Sequence, residues 1–176
     1  MLRRIDPPPA TRAGRPALRA LWCDFADLDI YRLHALLRLR VDVFVVEQEC
    51  AYPEIDGRDP DALHLLVEEE ESGNLAACLR LFAPLPPPEG DGHCHLGRIV
   101  TAPAWRGTGL GATLLELGIA ECSRAFPQAD IHLAAQAHLR EFYARFGFMT
   151  VSDVYDEDGI PHIDMRRQCA ASLSMA

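Results

Sequence analysis

The densest chemical signal in the chain is the run Arg106-Gly107-Thr108-Gly109-Leu110-Gly111-Ala112. Its glycines let consecutive backbone N–H groups face one concavity, and a helix predicted from about Gly109 to Phe126 adds partial positive charge at its N-terminus. That outline suits a pyrophosphate, although a tight strand-to-helix turn that only needs small residues would use the same glycines. Two phosphate fingerprints overlap here. Gly107, Gly109 and Ala112 satisfy G-x-G-x-x-G/A, whereas Arg106, Gly109 and Gly111 satisfy arginine or glutamine followed by x-x-G-x-G/A. The first fits poorly: Ala102 to Trp105 separate strand from glycines, the loop sits late in the chain, and Ala135 and Gln136 stand where an acidic ribose ligand belongs.

Other chemistry is narrowed by what the chain contains. All 17 basic residues are arginine, so neither a lysine Schiff base nor a P-loop lysine is available. Against 26 acidic residues they leave a net charge of −9, which disfavours nucleic acid and anionic membranes as partners and favours a cationic one. Six cysteines lie far apart with no C-x-x-C pair, the pattern of small core residues in a reducing, cytoplasmic setting. His93 and His95 flank Cys94, but consecutive residues of a strand alternate faces and the three cannot converge on one ion, so no metal is expected. No stretch has the apolar length of a secretory signal or a membrane span.

These residues need a scaffold, and 176 residues, 49% of them hydrophobic, are enough for one domain with a real core. Residues 1–18, rich in proline and arginine, read as a disordered leader, and residues 169–176 as a flexible tail. Between them, strands are predicted at Leu21–Phe25, His64–Glu68, Leu75–Phe82, His95–Thr101, Ile131–Ala134, Phe148–Val151 and His162–Met165. Helices are predicted after Asp29, across the glycine loop's C-terminal side, and over His138–Phe146. Ser72-Gly73-Asn74 reads as a hairpin turn and Asp158-Gly159-Ile160-Pro161 as another. The order argues an α/β or α+β domain with a mixed sheet flanked by helices.

With Arg106 to Gly111 followed, one strand and helix later, by Phe142-Tyr143-Ala144-Arg145-Phe146-Gly147-Phe148, the chain resembles the GNAT superfamily of acyl-CoA N-acetyltransferases. Val43-Phe44-Val45-Val46-Glu47-Gln48, Glu54-Ile55-Asp56-Gly57, Ala135-Gln136-Ala137-His138 and Glu157-Asp158-Gly159-Ile160-Pro161-His162 are similar to its ElaA-like subgroup. The resemblance spans roughly Leu21 to Met165. It implies the GNAT fold, a mostly antiparallel sheet of six to seven strands, with the domain at 19–168, and acetyl-CoA as co-substrate. Its diphosphate would lie on Arg106, Gly107, Thr108, Gly109, Leu110, Gly111 and Ala112. The pantetheine arm would pair like an added strand with Ile99, Val100 and Thr101, one of whose N–H groups would hold the oxyanion.

The same resemblance casts Tyr143 as the acid that protonates the departing thiolate. Tyr143 as a packed aromatic beside Phe142 and Phe146 is the plainer reading. The glutamate many relatives carry on the fourth strand has no match, since Arg98 stands near that place. Glu47, His64 and His162, or ordered water, remain for the base. Glu47, Asp56, His64 and His162 are the candidates for substrate binding, and the two regions the resemblance puts around the acceptor are acidic, with Glu47, Glu49, Glu54, Asp56, Asp59 and Asp61 in one and Asp153, Asp156, Glu157 and Asp158 in the other. A solvated acidic surface would look the same. The acceptor expected is a small-molecule or peptide amine, attacking directly in a ternary complex, and a homodimer is left open. Three rivals stand beside this reading. Arg40, Phe44, Glu54 to Asp59 and Arg80 also resemble acyl-homoserine lactone synthases; a non-catalytic acetyl-CoA-binding module would keep the loop but not need Tyr143; a nicotinamide oxidoreductase has the least support.

Overall fold

A computed structural model of the chain describes residues 2–5 and 15–169. They fall into two compact units, one of the described residues up to Leu81 together with Arg98–Leu115, the other of Phe82–Gly97 together with residues 116–169. In chain order the elements are β1 (Arg3–Ile5), β2 (Leu18–Asp24), α1 (Ile30–Val41), β3 (Leu63–Glu69), β4 (Leu75–Phe82), β5 (Cys94–Thr101), α2 (Leu110–Ala125), β6 (Ile131–Gln136), α3 (Arg140–Ala144), β7 (Met149–Thr150), β8 (Tyr155–Glu157) and β9 (Ile160–Arg167). The class is the mixed α/β one expected. The described ladders are antiparallel except that of β5 with β6. Six strands are long and β1, β7 and β8 are short. Among the described residues no helix is long and apolar enough to cross a membrane.

In the first unit, β1 to β4 pair in sequence order, and the apolar runs of β2, β3 and β4 are continuous because both faces are covered. Leu21 and Cys23 of β2, Leu66 of β3, Cys78 of β4 and Val100 of β5 meet Leu36 and Leu39 of α1 in one core. Each fully buried leucine there, such as Leu36, contributes about 1.5–3 kcal/mol of burial energy. Asp29 starts α1 as anticipated, its carboxylate accepting from Tyr31 N at 3.0 Å and Arg32 N at 2.9 Å. The leader expectation needs correction at both ends. Arg3–Ile5 pairs with β2, Arg3 opposite Trp22, and Leu18 is already strand, because β2 offers an edge whose backbone groups need partners. Residues 6–14 and 170–176 lie outside the described residues.

In the second unit β6 and β9 form the longest ladder, Ile131 opposite Arg167 through Gln136 opposite His162. The β8–β9 hairpin closes over Asp158 and Gly159, both with positive φ (52° and 85°), between the paired residues Glu157 and Ile160. Two consecutive left-handed residues are what the twist of a two-residue hairpin demands. The helix predicted over His138–Phe146 is shorter than its apolar pattern. A single 3₁₀ turn, Ala137–Leu139, leads into α3, which Gly147 ends.

Candidate active site

The glycine loop connects the end of β5 to α2, and its conformation follows from residue type. Gly107 and Gly109 have φ of +69° and +91°, a region that side chains strain to enter, and a Cβ at either would meet nothing within 4 Å. The loop is therefore open on the side these glycines face. Thr108 steadies it, its hydroxyl donating to Trp105 O at 2.7 Å and accepting from Leu110 N at 3.3 Å. Ala112 N and Thr113 N both donate to Gly109 O, which begins α2. Leu110 is buried, and Gly111 sits against Thr101, whose Cγ2 a Cβ would meet at 3.9 Å. Of the three β5 residues expected along a donor, Val100 is buried in the core and Ile99 and Thr101 are half-buried. Arg98, just before them, has φ of +51°.

Arg106 and Glu47, 59 residues apart, form a two-pronged pair with both N–O distances at 2.9 Å. A π-helical turn, Asp42–Glu47, extends α1 and carries Glu47 there. Gln48 N and Cys50 N reach back five residues to Val43 O and Val45 O. The pair is solvent-exposed, so it is weak and open to competition by another anion. If the loop takes a diphosphate, Glu47→Gln removes that competitor. Calorimetry is then expected to show coenzyme A binding about two- to fivefold tighter, while acceptor KM rises if Glu47 also faces the amine.

The acidic stretch after Tyr52 is neutralised rather than free. Arg40 donates to Glu54 Oε1 and to Asp59 Oδ1, both at 2.7 Å; Arg80 donates to Asp59 at 3.0 Å and to both oxygens of Asp56; Arg98 donates to Glu54 Oε1 at 2.8 Å. Three guanidinium groups thus meet three carboxylates, with Arg40, Glu54, Asp59 and Arg80 all buried. Hydrogen bonds from Arg80 hold the Asp56 carboxyl far below its ordinary range. Asp56 is therefore spoken for by this network, contrary to its expected place as a free acceptor ligand. The three arginines lie 14 to 44 residues from their partners, so no local spacing in the sequence announces them.

His64 also belongs to the scaffold. It is wholly buried on β3, and its Nε2–H donates to Asp59 O at 2.9 Å. Burial pushes its pKa below the ordinary 6.5, so it stays neutral, and it touches no surface from which it could meet a substrate. Below pH of about 6.5 the unfolded chain takes up a proton that the folded chain refuses, so this contribution to stability is present above that pH and lost as pH falls. Urea titrations are expected to show stability declining on the acid side by up to about 1.4 kcal/mol per pH unit for this proton, with a shallower decline in His64→Gln.

In the second unit Tyr143 is placed by a backbone motif. Phe148 N bonds Tyr143 O and Gly147 N bonds Ala144 O, while Gly147 takes φ of +82°. This is a Schellman ending, and its usual apolar contact is present as the Tyr143 and Phe148 rings, 6.1 Å apart. Phe142 packs edge-on at 5.1 Å. Burial pushes the Tyr143 hydroxyl up to about 12, which keeps it a protonated donor at neutral pH. His162 is half-buried on β9, its Nδ1 2.8 Å from Ile160 O and its ring stacked on Tyr155. Asp153, Asp156, Glu157 and Asp158 are exposed nearby in sequence.

Around His93–His95 the expected alternation holds, with Cys94 fully buried and the two histidines outside. The expectation of no metal rested on that run alone. It did not take in Asp91 and His132, whose ligand atoms come within 4.8 Å of each other and of that of His93. The six cysteines are free and buried.

A family model described as an acetyltransferase (GNAT) domain matches residues 41–169. The protein ElaA of Escherichia coli is 40% identical over 152 residues, 84% of this chain and 95% of its own length. The crystal structure of an acyl-CoA N-acyltransferase from Pseudomonas aeruginosa superposes with a TM-score of 0.78 at 44% identity, covering 86% of this chain and 99% of that one. The acyl-homoserine lactone synthase LasI shares the fold alone, with a TM-score of 0.68 at 15% identity over 88% of this chain and 91% of its own.

Proposed function

This chain belongs to the acetyltransferase (GNAT) family, and from that premise we propose that it transfers the acetyl group of acetyl-CoA to a primary amine, by direct attack while both substrates are bound. The observation that carries the reading is the loop itself, where two left-handed glycines leave open space at the start of a sixteen-residue helix. Arg106 to Ala112 hold the donor's diphosphate through backbone N–H groups and the helix N-terminus. Ile99, Val100 and Thr101 lend backbone groups to the pantetheine arm and an N–H to the oxyanion.

The amine attacks in its neutral form at the thioester carbonyl. As the tetrahedral intermediate collapses the carbon–sulfur bond breaks, Tyr143 gives its hydroxyl proton to the leaving thiolate, and the proton shed by the attacking nitrogen passes through ordered water to restore Tyr143. Glu47, exposed beside Arg106, is the carboxylate assigned to the acceptor's approach, and His162 is proposed as a further acceptor ligand. The reaction is assigned to residues 19–168, and six buried free cysteines suit a reducing, cytoplasmic compartment. The residues that resemble acyl-homoserine lactone synthases, Arg40, Glu54, Asp59 and Arg80, are joined here in a buried network of ion pairs, which gives them a structural role without that reading.

Mass analysis of products tests the assignment. Acetyl-CoA, longer acyl-CoAs, and S-adenosylmethionine with an acyl carrier are each supplied with a panel of cationic amines. An acetylated amine and free coenzyme A from the first donor alone are expected; a lactone from S-adenosylmethionine would replace the reading.

A further inference from the structure

The end of the proline- and glycine-rich connection between β4 and β5 carries a second cluster with its own chemistry. His95 of β5 stands in register with His132 of the parallel strand β6, and their rings lie 5.7 Å apart, edge to face. His93 stacks on the His132 ring at 4.1 Å. Asp91 accepts from the backbone N of His93 at 3.0 Å, which turns its carboxylate back toward the rings. One carboxylate oxygen is 3.9 Å from His132 Nδ1, and both are 3.0 Å from His95 Nε2.

Among the described residues, His93 Nδ1 and His132 Nε2 are buried without a hydrogen-bond partner. An orphaned buried polar atom costs about 1–3 kcal/mol, and two in one stacked pair call for a shared partner. Three imidazoles around a carboxylate offer no hydrogen-bond donor set for an anion that water would not serve better, whereas neutral imidazole nitrogens and a carboxylate oxygen are ligands for borderline divalent metals. The Asp91, His93 and His132 ligand atoms lie within 4.8 Å of one another, near enough for reorientation of these side chains to bring them onto one ion.

We propose that Asp91, His93 and His132 bind one divalent transition-metal ion of the zinc class, with His95 donating to Asp91 and holding it toward the ion. Two nitrogens and one oxygen from the protein leave a fourth tetrahedral position for water. Magnesium and calcium, which prefer all-oxygen shells, do not match this donor set. The ion would staple the end of the 83–93 connection to β5 and β6 within the second unit. It takes no part in acyl transfer, so its test is independent of that assignment.

The full chain, stripped with chelator under a phosphine reductant, is titrated with ZnCl₂ by calorimetry and with CoCl₂ by absorption spectroscopy. One ion per chain is expected, with a cobalt spectrum of nitrogen and oxygen ligands and no thiolate charge-transfer band. His132→Gln and His93→Gln are expected to lose binding by at least about tenfold, and His95→Ala to weaken it by roughly tenfold to a hundredfold. Zinc should raise the melting temperature of the wild type but not of His93→Gln, a change outside the ladders that spares the fold. Absence of binding, a thiolate band, or unchanged affinity in both His93→Gln and His132→Gln would overturn the proposal.

Discussion

Gly109→Glu is expected to abolish coenzyme A binding in calorimetry while leaving the far-ultraviolet spectrum unchanged. Two effects add at this position. A side chain at φ of +91° stores about 1–3 kcal/mol of backbone strain, and the carboxylate projects into the open space where the diphosphate would lie. Gly109→Ala separates them, since it carries the strain without the charge; it should weaken binding by roughly tenfold to a hundredfold at most and leave it measurable. Unchanged affinity in Gly109→Glu would remove this loop from the donor site. A loss equal in the two variants would show that loop conformation, not charge, decides binding.

Tyr143→Phe is expected to lower turnover by roughly a hundredfold or more with donor affinity unchanged. The substitution keeps the ring that packs on Phe142 and Phe148 and the Schellman ending of α3, so it deletes only the hydroxyl. Because burial holds that hydroxyl protonated up to about 12, wild-type activity should show no loss near the ordinary tyrosine value of 10 that disappears in the variant. Equal turnover in the two proteins would take Tyr143 out of the mechanism.

The parts of this account that rest on local chemistry were legible in the sequence. Asp29 caps α1 through its own short side chain, Asp158-Gly159 sets a two-residue hairpin, and Gly147-Phe148 closes α3, each within a few residues of its effect. What stayed hidden depends on partners brought together by the sheet. Strand β1 exists only because β2 presents an edge to Arg3–Ile5. The π-helical turn at Asp42–Glu47 has no periodicity that distinguishes it from a continued helix, yet it brings Glu47 to Arg106. Asp56 reads as a substrate ligand because its arginine partners Arg80 and Arg98 lie on other elements, and His64 because neither its burial nor its bond to Asp59 O is written in its own neighbourhood of the sequence. His132 enters the histidine cluster through the β5–β6 register, which a strand's own alternation cannot reveal.

The most direct measurement adds acetyl-CoA to the intact chain in a calorimeter, then an amine panel to the same sample with free thiol followed in time. Saturable binding at one site per chain, lost in Gly109→Glu, followed by thiol release with at least one cationic amine, is the predicted result. A chain that takes up no acetyl-CoA would contradict the assignment of Arg106 to Gly111 as the donor cradle.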